Sequence, residues 1–428
     1  MQAGFLGGWI VIQLLQRGES PKNIRVLDIR FPTRKDLMTG AAKDVKFMQV
    51  DITDAAAVLE AFRAPWAGSP EAEVTVFHTA ANIRFFERHP GIESRSTKVN
   101  VVGTQNVLEA SRAIGVTAMI YTSSGSVSVH SSRFLLWPWQ KEPDYFVQYI
   151  DDDDNRIPKH HADFFSNYAS SKAKAEGLVR AANATPSGSH GKVLRTGCIR
   201  PGNGVFGPGG DVLCGAYLAR KVNPTWISNI VSHFVYVENC ALSHLLYEAR
   251  LIEGSTATRP DISGQAYAIT DPGTPPTYGD VYNTLTTLTN GETYFPELSP
   301  TSMLLVSYLI EFYYLTRYFV FGDRFLPAVN SDLVNLQPSL YNLTMVHLIF
   351  DDSRARKSPE EGGLGYRGAW TTLQGLHKTE EEHRKGFIPS LQRSESAGIG
   401  FGLAKAQRGV GKVAEAVERD VGVDILKR

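Results

Sequence analysis

VTVFHTA (Val74–Ala80), VNVVGTQNVLEASRA (Val99–Ala113) and AMIYTSS (Ala118–Ser124) read as a strand, a helix and a second strand. The outer segments are short apolar runs, and the middle one is amphipathic at helical spacing. Apolar runs of this length, separated by helical patterns, are the mark of parallel strands buried on both faces. The alternation extends outward in both directions. Strand patterns recur at Asn23–Asp28, Val45–Asp51 and Lys192–Arg200, and helical ones at Gly8–Arg17 and Tyr168–Ala182. The fold class this predicts is α/β, a doubly wound parallel sheet.

After Pro201 the pattern loosens into turns, with short strands near His233–Val237 and Gln265–Thr270. Residues 1–200 are therefore expected to form the main domain, and 201–385 a smaller C-terminal subdomain over the strand ends. Within the latter, residues 301–326, beginning TSMLLVSYLIEFYYLTRYFV, are strongly apolar and aromatic. The tail, 386–428, is Ser- and Gly-rich and then charged; Val413, Ala416, Val417 and Val421 fall at the spacing of a terminal helix. The run Asp151–Asp154 reads as a solvated loop. Lys+Arg and Asp+Glu balance at 44 each, so no global field recruits nucleic acid. Cys198, Cys214 and Cys240 make no disulfide framework, which fits a reducing compartment. No signal peptide pattern opens the sequence. No His, Cys or carboxylate cluster has metal-ligand spacing, so no metal is expected.

Short motifs fall at the strand ends and helix starts of this alternation. GFLGG (Gly4–Gly8) opens the first helix, and VLDIR puts Asp28 at a strand end. VDITD holds Asp51, and VFHTAANI holds Thr79, Ala80 and Ala81. Asn100 lies in KVNVVGTQNVLEA, Ser124 in YTSSGSV, and Tyr168 with Lys172 in NYASSKAKAE; IRPGNGVFGPGG follows, with Pro201. Each signal is weak alone, and their order makes them strong. Glycines at a strand-to-helix turn let the backbone approach a pyrophosphate, whose charge suits a helix N-terminus. A carboxylate at Asp28 can accept hydrogen bonds from ribose hydroxyls and repels a 2′-phosphate. Tyr168 and Lys172 stand at i and i+4, on one helix face. A tyrosine of reference pKa ~10 is a poor base at neutral pH, and a neighbouring ammonium together with the positive ring of a bound nicotinamide is expected to pull it down. His78, on a strand end, reads as a packed, hydrogen-bonded core residue.

In this order the motifs resemble the extended short-chain dehydrogenase/reductase superfamily. VNVVGTQNVLEA, YTSS, HFVYVENCALSHLLYEA and GQAYAITD are most similar to the 3β-hydroxysteroid dehydrogenase and sterol-4α-carboxylate 3-dehydrogenase family. The likeness runs from residue 4 to about residue 385, and it implies an NAD(P)-binding Rossmann-type domain over 1–200 and a substrate subdomain over 201–385. It implies NAD-dependent hydride transfer at a secondary alcohol or ketone, most readily the 3β-hydroxyl of a steroid or sterol. Arg30 and Arg34 leave NADP open. By the same resemblance Ser124 holds the substrate oxygen, Tyr168 takes its proton, Lys172 supports Tyr168 and holds the ribose, and Asn100 positions Lys172 through a water. Gly4, Phe5, Leu6, Gly7, Asp28, Asp51, Ile52, Thr79, Ala80, Ala81 and Pro201 border the cofactor together with Tyr168 and Lys172. Ser123 is the alternative serine; the spacing to Val127 favours Ser124.

Two departures stand out. Gly4 and Gly7 match the second and third glycines of the family turn, but Met1 takes the place of the first, and the first strand of the sheet is missing. That strand is central, so its loss leaves two strands without their shared neighbour, at ~1–3 kcal/mol for each buried polar group left unpaired. A truncated sequence is favoured over a natural enzyme lacking the strand. The second is an insert, RFLLWPWQKEPDYFVQYIDDDD, whose Phe134, Leu135, Leu136, Trp137 and Trp139 read either as a cover for an apolar substrate or as a surface excursion. Residues 301–326 approach the ~20 residues of a bilayer span, but Glu311 and Arg317 favour a helix lying at the membrane surface, where a lipophilic substrate enters. The expected location is the cytoplasmic face of the endoplasmic reticulum membrane, with the cytoplasm as alternative; a homodimer is compatible with the sequence. The competing functions are the same chemistry on a flavonoid-like ketone or a nucleotide sugar, and a non-catalytic membrane-surface binding protein with a decayed cofactor site.

Overall fold

The computed structural model describes residues 4–66, 72–189, 191–211, 213–254, 256–322, 327–329 and 333–386. The expected terminal helix and residues 323–326 of the apolar segment lie outside them. The strands are β1 (Arg25–Asp28), β2 (Lys46–Gln49), β3 (Thr75–His78), β4 (Ala118–Thr122), β5 (Val147–Ile150), β6 (Thr185–Pro186), β7 (Val193–Pro201), β8 (Val205–Phe206), β9 (Val235–Tyr236), β10 (Ala266–Ile269) and β11 (His347–Phe350). The helices used below are α1 (Phe5–Gln16), α2 (Lys35–Met38), α3 (Ala55–Arg63), α4 (Ser94–Thr97), α5 (Thr104–Ile114), α6 (Asn167–Ala181), α7 (Cys214–Arg220), α8 (Val237–Glu253), α9 (Tyr278–Leu288) and α10 (Pro300–Thr316).

The sheet is parallel and doubly wound, as expected, but it comes in two pieces. One runs β10-β7-β4-β3, the other pairs β1 with β2. β3 pairs with β4 and β1 with β2; β1 and β3 share no ladder. The break falls between β1 and β3, where a strand shared by both was expected. What joins the pieces is side-chain packing. Ile10, Val11 and Leu14 of α1 lie in one buried cluster with Val26 of β1, Phe77 of β3, Ile120 of β4 and Ile199 of β7. Gln13 and Arg17 fasten α1 to the Glu238 carbonyl and the Glu248 carboxylate of α8. On the opposite face α3, α5 and α6 cover the sheet through Val58, Val107, Leu108, Ala175 and Val179 against Met119, Tyr121 and Cys198.

The helices begin and end where the sequence allows. Asp54 caps α3 by accepting from the amides of Ala56 and Ala57, and Ser166 caps α6 through Ala169. Gly115, at φ 80°, ends α5 in the left-handed conformation. Chain from both sides of residue 200 meets in the fold: β10 extends the main sheet beside β7, and β5 pairs in parallel with β11.

One expectation changes here and two are narrowed. Asp151–Asp154 is solvated only in part: Asp153 and Asp154 are exposed, as expected, but Asp152 is not. Asp152 is mostly buried and accepts from the Ala268 amide, while Asp154 pairs with Arg180 and with the fully buried Arg200, which also binds Glu176 of α6. Asp154 thereby reaches from the surface to the buried Arg200–Glu176 pair behind α6. In the insert, Phe134 packs against Tyr341, but Trp137 and Trp139 stack on each other in the open, Trp139 being 75% exposed. The insert is a surface excursion at its tip. Finally, Pro300–Phe321 is long and apolar enough to cross a membrane, yet Met303, Leu304, Ser307, Glu311 and Tyr314 form a stripe packed on the protein while Leu305, Val306, Leu309 and Phe312 face outward. It is neither a buried core helix nor a free one.

If α1 joins the two pieces of the sheet, Ile10→Ala lowers unfolding stability by about 2–5 kcal/mol in urea melts. A loss under about 0.5 kcal/mol, the range of an ordinary surface substitution, contradicts this role.

Candidate active site

The expected residues gather at one edge of the sheet, where the parallel strands end and α1 and α6 begin, the usual ligand edge of such folds. Gly4 is the N-cap of α1, extended at φ −68° and ψ −167°, with no side chain capping the helix start. Phe5, Leu6 and Gly7 form the first turn. Asp28 ends β1, half-buried, with Oδ1 accepting from the Arg30 amide. Asp51 caps the turn after β2 through the Thr53 amide, and Ile52 packs against Gly103, its carbonyl held by Asn106. Thr79, Ala80 and Ala81 follow β3, and the Thr79 hydroxyl is buried without a hydrogen-bond partner. Pro201 ends β7.

Ser124 follows β4. Its Oγ lies 2.7 Å from Ser126 Oγ, and it is within hydrogen-bonding reach of Tyr168, the second residue of α6. Ser123 Oγ is buried without a partner, so the hydroxyl that meets Tyr168 is that of Ser124, the serine favoured by spacing. Lys172 is buried one turn beyond Tyr168. Its Nζ donates to the Thr122 carbonyl at 2.6 Å and sits 4.1 Å above the Tyr121 ring.

That placement corrects one expectation. Tyr168 is pushed up to about 12 by burial, with the Ser124 hydrogen bond working the other way, and Lys172 contributes no lowering. The lysine itself is lowered to about 7 by burial. The reason is geometric: the ammonium points to the Thr122 carbonyl and the Tyr121 ring.

Asn100 lies in a π-helical stretch, Lys98–Gly103, between α4 and α5. Its side chain donates to Ser171 Oγ at 2.9 Å and pairs both ways with the Asn82 backbone. It thus reaches α6 at the residue beside Lys172, not at Lys172. Such π-bulges gather at functional sites. His78 is a packed residue as expected, 2.9 Å from Thr104 Oγ1 and lowered to about 3 by burial. Arg34 is also accounted for: it is buried, paired with Asp36 at 2.6 Å and bound to the Phe5 carbonyl. Sequence reasoning missed Thr122 as acceptor for Lys172, and Ser126 and Asn82 as supports. Ser126, two residues after Ser124, carried the one available signal.

The uncapped start of α1, the Asp28 carboxylate and the unpartnered Thr79 hydroxyl are the donors and acceptors a dinucleotide needs, so these residues fit one. The buried amine has a consequence for stability. Its folded pKa of about 7 lies below the ordinary 10.5, so between those values the unfolded chain holds more protons and stability rises with pH. Lys172→Met should therefore gain most in thermal stability at pH 6–7, and the gain should shrink toward pH 10.5; a gain independent of pH in unfolding scans contradicts the buried amine.

The model of the 3-beta hydroxysteroid dehydrogenase/isomerase family matches residues 2–291. An Arabidopsis thaliana 3beta-hydroxysteroid-dehydrogenase/decarboxylase, isoform 2, is 28% identical over 380 residues, 87% of this chain and 57% of that protein. The chain thus spans little more than half of that relative. A 3 beta-hydroxysteroid dehydrogenase/Delta 5-->4-isomerase of Vaccinia virus (strain Ankara) is 31% identical over 66% of this chain and 73% of its own length. Among solved structures, the Thermotoga maritima UDP-glucose 4-epimerase with UDP-glucose aligns with a TM-score of 0.58 at 18% identity, covering 90% of this chain and 97% of that one. The Thermus thermophilus UDP-glucose 4-epimerase complex with NAD aligns at 0.54 and 20%, covering 89% and 96%. Likeness at that identity speaks for the fold alone. With the family model covering most of its length, the chain belongs to the 3-beta hydroxysteroid dehydrogenase/isomerase family.

Proposed function

We propose that this chain oxidises a secondary alcohol of a lipophilic, sterol-like substrate to the ketone, using NAD. The observation that carries the reading is the meeting of Tyr168 with Ser124 above the buried Lys172. Ser124 would hold the substrate hydroxyl, and Tyr168 would accept its proton. Lys172, lowered to about 7, is poised to change protonation near neutral pH and to hold the ribose. Asn100, through Ser171, fixes the turn of α6 that carries both. A bound nicotinamide dinucleotide supplies the two-electron acceptor and, when oxidised, a positive charge beside Tyr168 that opposes the upward push of burial. NAD is favoured over NADP because Asp28 ends β1 and Arg34 is already engaged by Asp36.

The sterol is favoured over a nucleotide sugar by family membership and by the outward face of α10. The names of the Arabidopsis relative and of a Candida albicans sterol-4-alpha-carboxylate 3-dehydrogenase, 33% identical over 42% of this chain, point the same way. A helix whose polar residues are tied to the protein and whose apolar residues face out suits a bilayer surface better than a span. Arg88 takes Glu311 in a bidentate pair, both contacts 2.7 Å. Residence on the endoplasmic reticulum membrane is part of this proposal. A non-catalytic binding protein is the second reading, supported by the break between β1 and β3 and opposed by the retained Ser124, Tyr168 and Lys172.

Tyr168→Phe should lower kcat for NAD-dependent oxidation of a 3β-hydroxysteroid by roughly 10²–10⁴-fold, with the folded state intact by circular dichroism. A variant that matches the parent rules out Tyr168 as the proton acceptor. Replacing Leu309 and Phe312 together with Ser should weaken partition onto phospholipid vesicles at least about tenfold, from ~1.5–3 kcal/mol per buried side chain. Unchanged flotation with the vesicles contradicts docking through α10.

A further inference from the structure

The segment after the cofactor-side residues Thr79–Ala81, NIRFFERH (Asn82–His89), runs between the exposed helix α10 and the start of α6. Glu87 stands at its centre and faces both ways. Its side chain is fully buried, and Oε1 accepts from Arg84 at 2.6 Å, from Arg95 at 3.1 Å and from the Tyr314 hydroxyl of α10. Its backbone carbonyl accepts from the amide of Asn167, the first residue of α6, at 2.7 Å. Two residues on, the His89 carbonyl takes the Asn167 side-chain amide at 3.0 Å, while His161 holds the side-chain oxygen. Tyr168 is the next residue. The amide at a first helical position has no partner within its own helix, so whatever accepts from it sets where the helix begins.

Apolar packing runs along the same line. Phe86 meets Tyr314 edge-on at 6.2 Å, and Tyr168 packs on the cluster that holds Phe85, Phe86 and Tyr314. From the other side, Asn82 joins Arg95 to Asn100, which reaches α6 at Ser171.

We infer that Glu87 is a positioning residue for Tyr168, through which the seating of α10 on the protein sets the rate of the chemical step. The inference rests on the reading of Tyr168 as proton acceptor. It gives the outward-facing helix a second role: whatever seats α10 also seats the tyrosine.

Glu87→Ala removes from a buried position the carboxylate that Arg84, Arg95 and the Tyr314 hydroxyl share, so a loss of activity there would not separate positioning from folding and it is a poor first test. Tyr314→Phe keeps the ring and its packing and removes only the hydroxyl that binds Glu87. In the full chain with NAD and a 3β-hydroxysteroid, Tyr314→Phe should lower kcat about tenfold or more, as small misplacements of a reacting group do, with KM within twofold. The acid limb of the kcat profile should move to higher pH, because a tyrosine drawn away from Ser124 loses the hydrogen bond that lowers its pKa. Glu87→Gln, which keeps an acceptor for Tyr314, should fall between Tyr314→Phe and the parent. Tyr168→Phe runs beside them as the control. If it is inactive while Tyr314→Phe keeps the parent's kcat and pH profile, the coupling is wrong and the site reading stands. If Tyr168→Phe is fully active, the site reading itself has failed. A Tyr314→Phe chain that loses thermal stability but keeps the parent's kcat and profile when folded would reduce the contact to a structural one and overturn the inference.

Discussion

The apolar face of α1 is the contact on which this structure depends. Strands β1 and β3 share no hydrogen-bonded ladder, so the sheet does not hold itself together across the break. Ile10, Val11 and Leu14 take that place, in one buried cluster that also holds Val26 from one piece and Phe77 and Ile120 from the other. The same helix presents its uncapped start at the ligand edge. One element therefore fixes the relative position of Asp28, on the β1 side, and of Thr79, Ser124, Tyr168 and Lys172, on the β3 side. A dinucleotide bound as the fold suggests would lie across the break, so binding and sheet integrity draw on the same packing.

Burial decides the chemistry available to the candidate site. Lys172 is enclosed between a carbonyl and an aromatic ring, which holds α6 to β4 and costs the ammonium most of its hydration. The result is an amine lowered to about 7 beside a phenol raised to about 12. Left to the protein alone, the tyrosine stays protonated at neutral pH. A charged ligand beside it is therefore part of the device rather than an accessory. Behind α6, Arg200 with Glu176 and Asp154 anchors the helix to the end of β7, so that the segment carrying Tyr168 is tied at both ends.

The main strands and helices were legible because parallel strands covered on both faces leave continuous apolar runs, as in AMIYT of β4, and because glycines and hydroxyl caps mark helix starts. The candidate site residues could be picked out for the same reason: each sits at or near such a boundary. What could not be read was what depends on distant partners. VQYI of β5 alternates like a surface strand, and its mate β11 lies some two hundred residues on. Asp152 looks like a solvent residue until Ala268 comes to meet it, and nothing near Asp154 announces its buried partner Arg200. Glu87 acts on α6 through its backbone carbonyl, a contact that no side-chain pattern announces. The lowering of Tyr168 assigned to Lys172 was misread for a related reason, since helical spacing puts Lys172 on the correct face without saying where its ammonium points.

The most direct test of the central claim, that the two pieces of sheet build one NAD site, is a thermal-shift titration of this chain with NAD and, separately, NADP. The account predicts saturable stabilisation by NAD and a weaker response to NADP. A folded chain whose melting is unmoved by either nucleotide would contradict it.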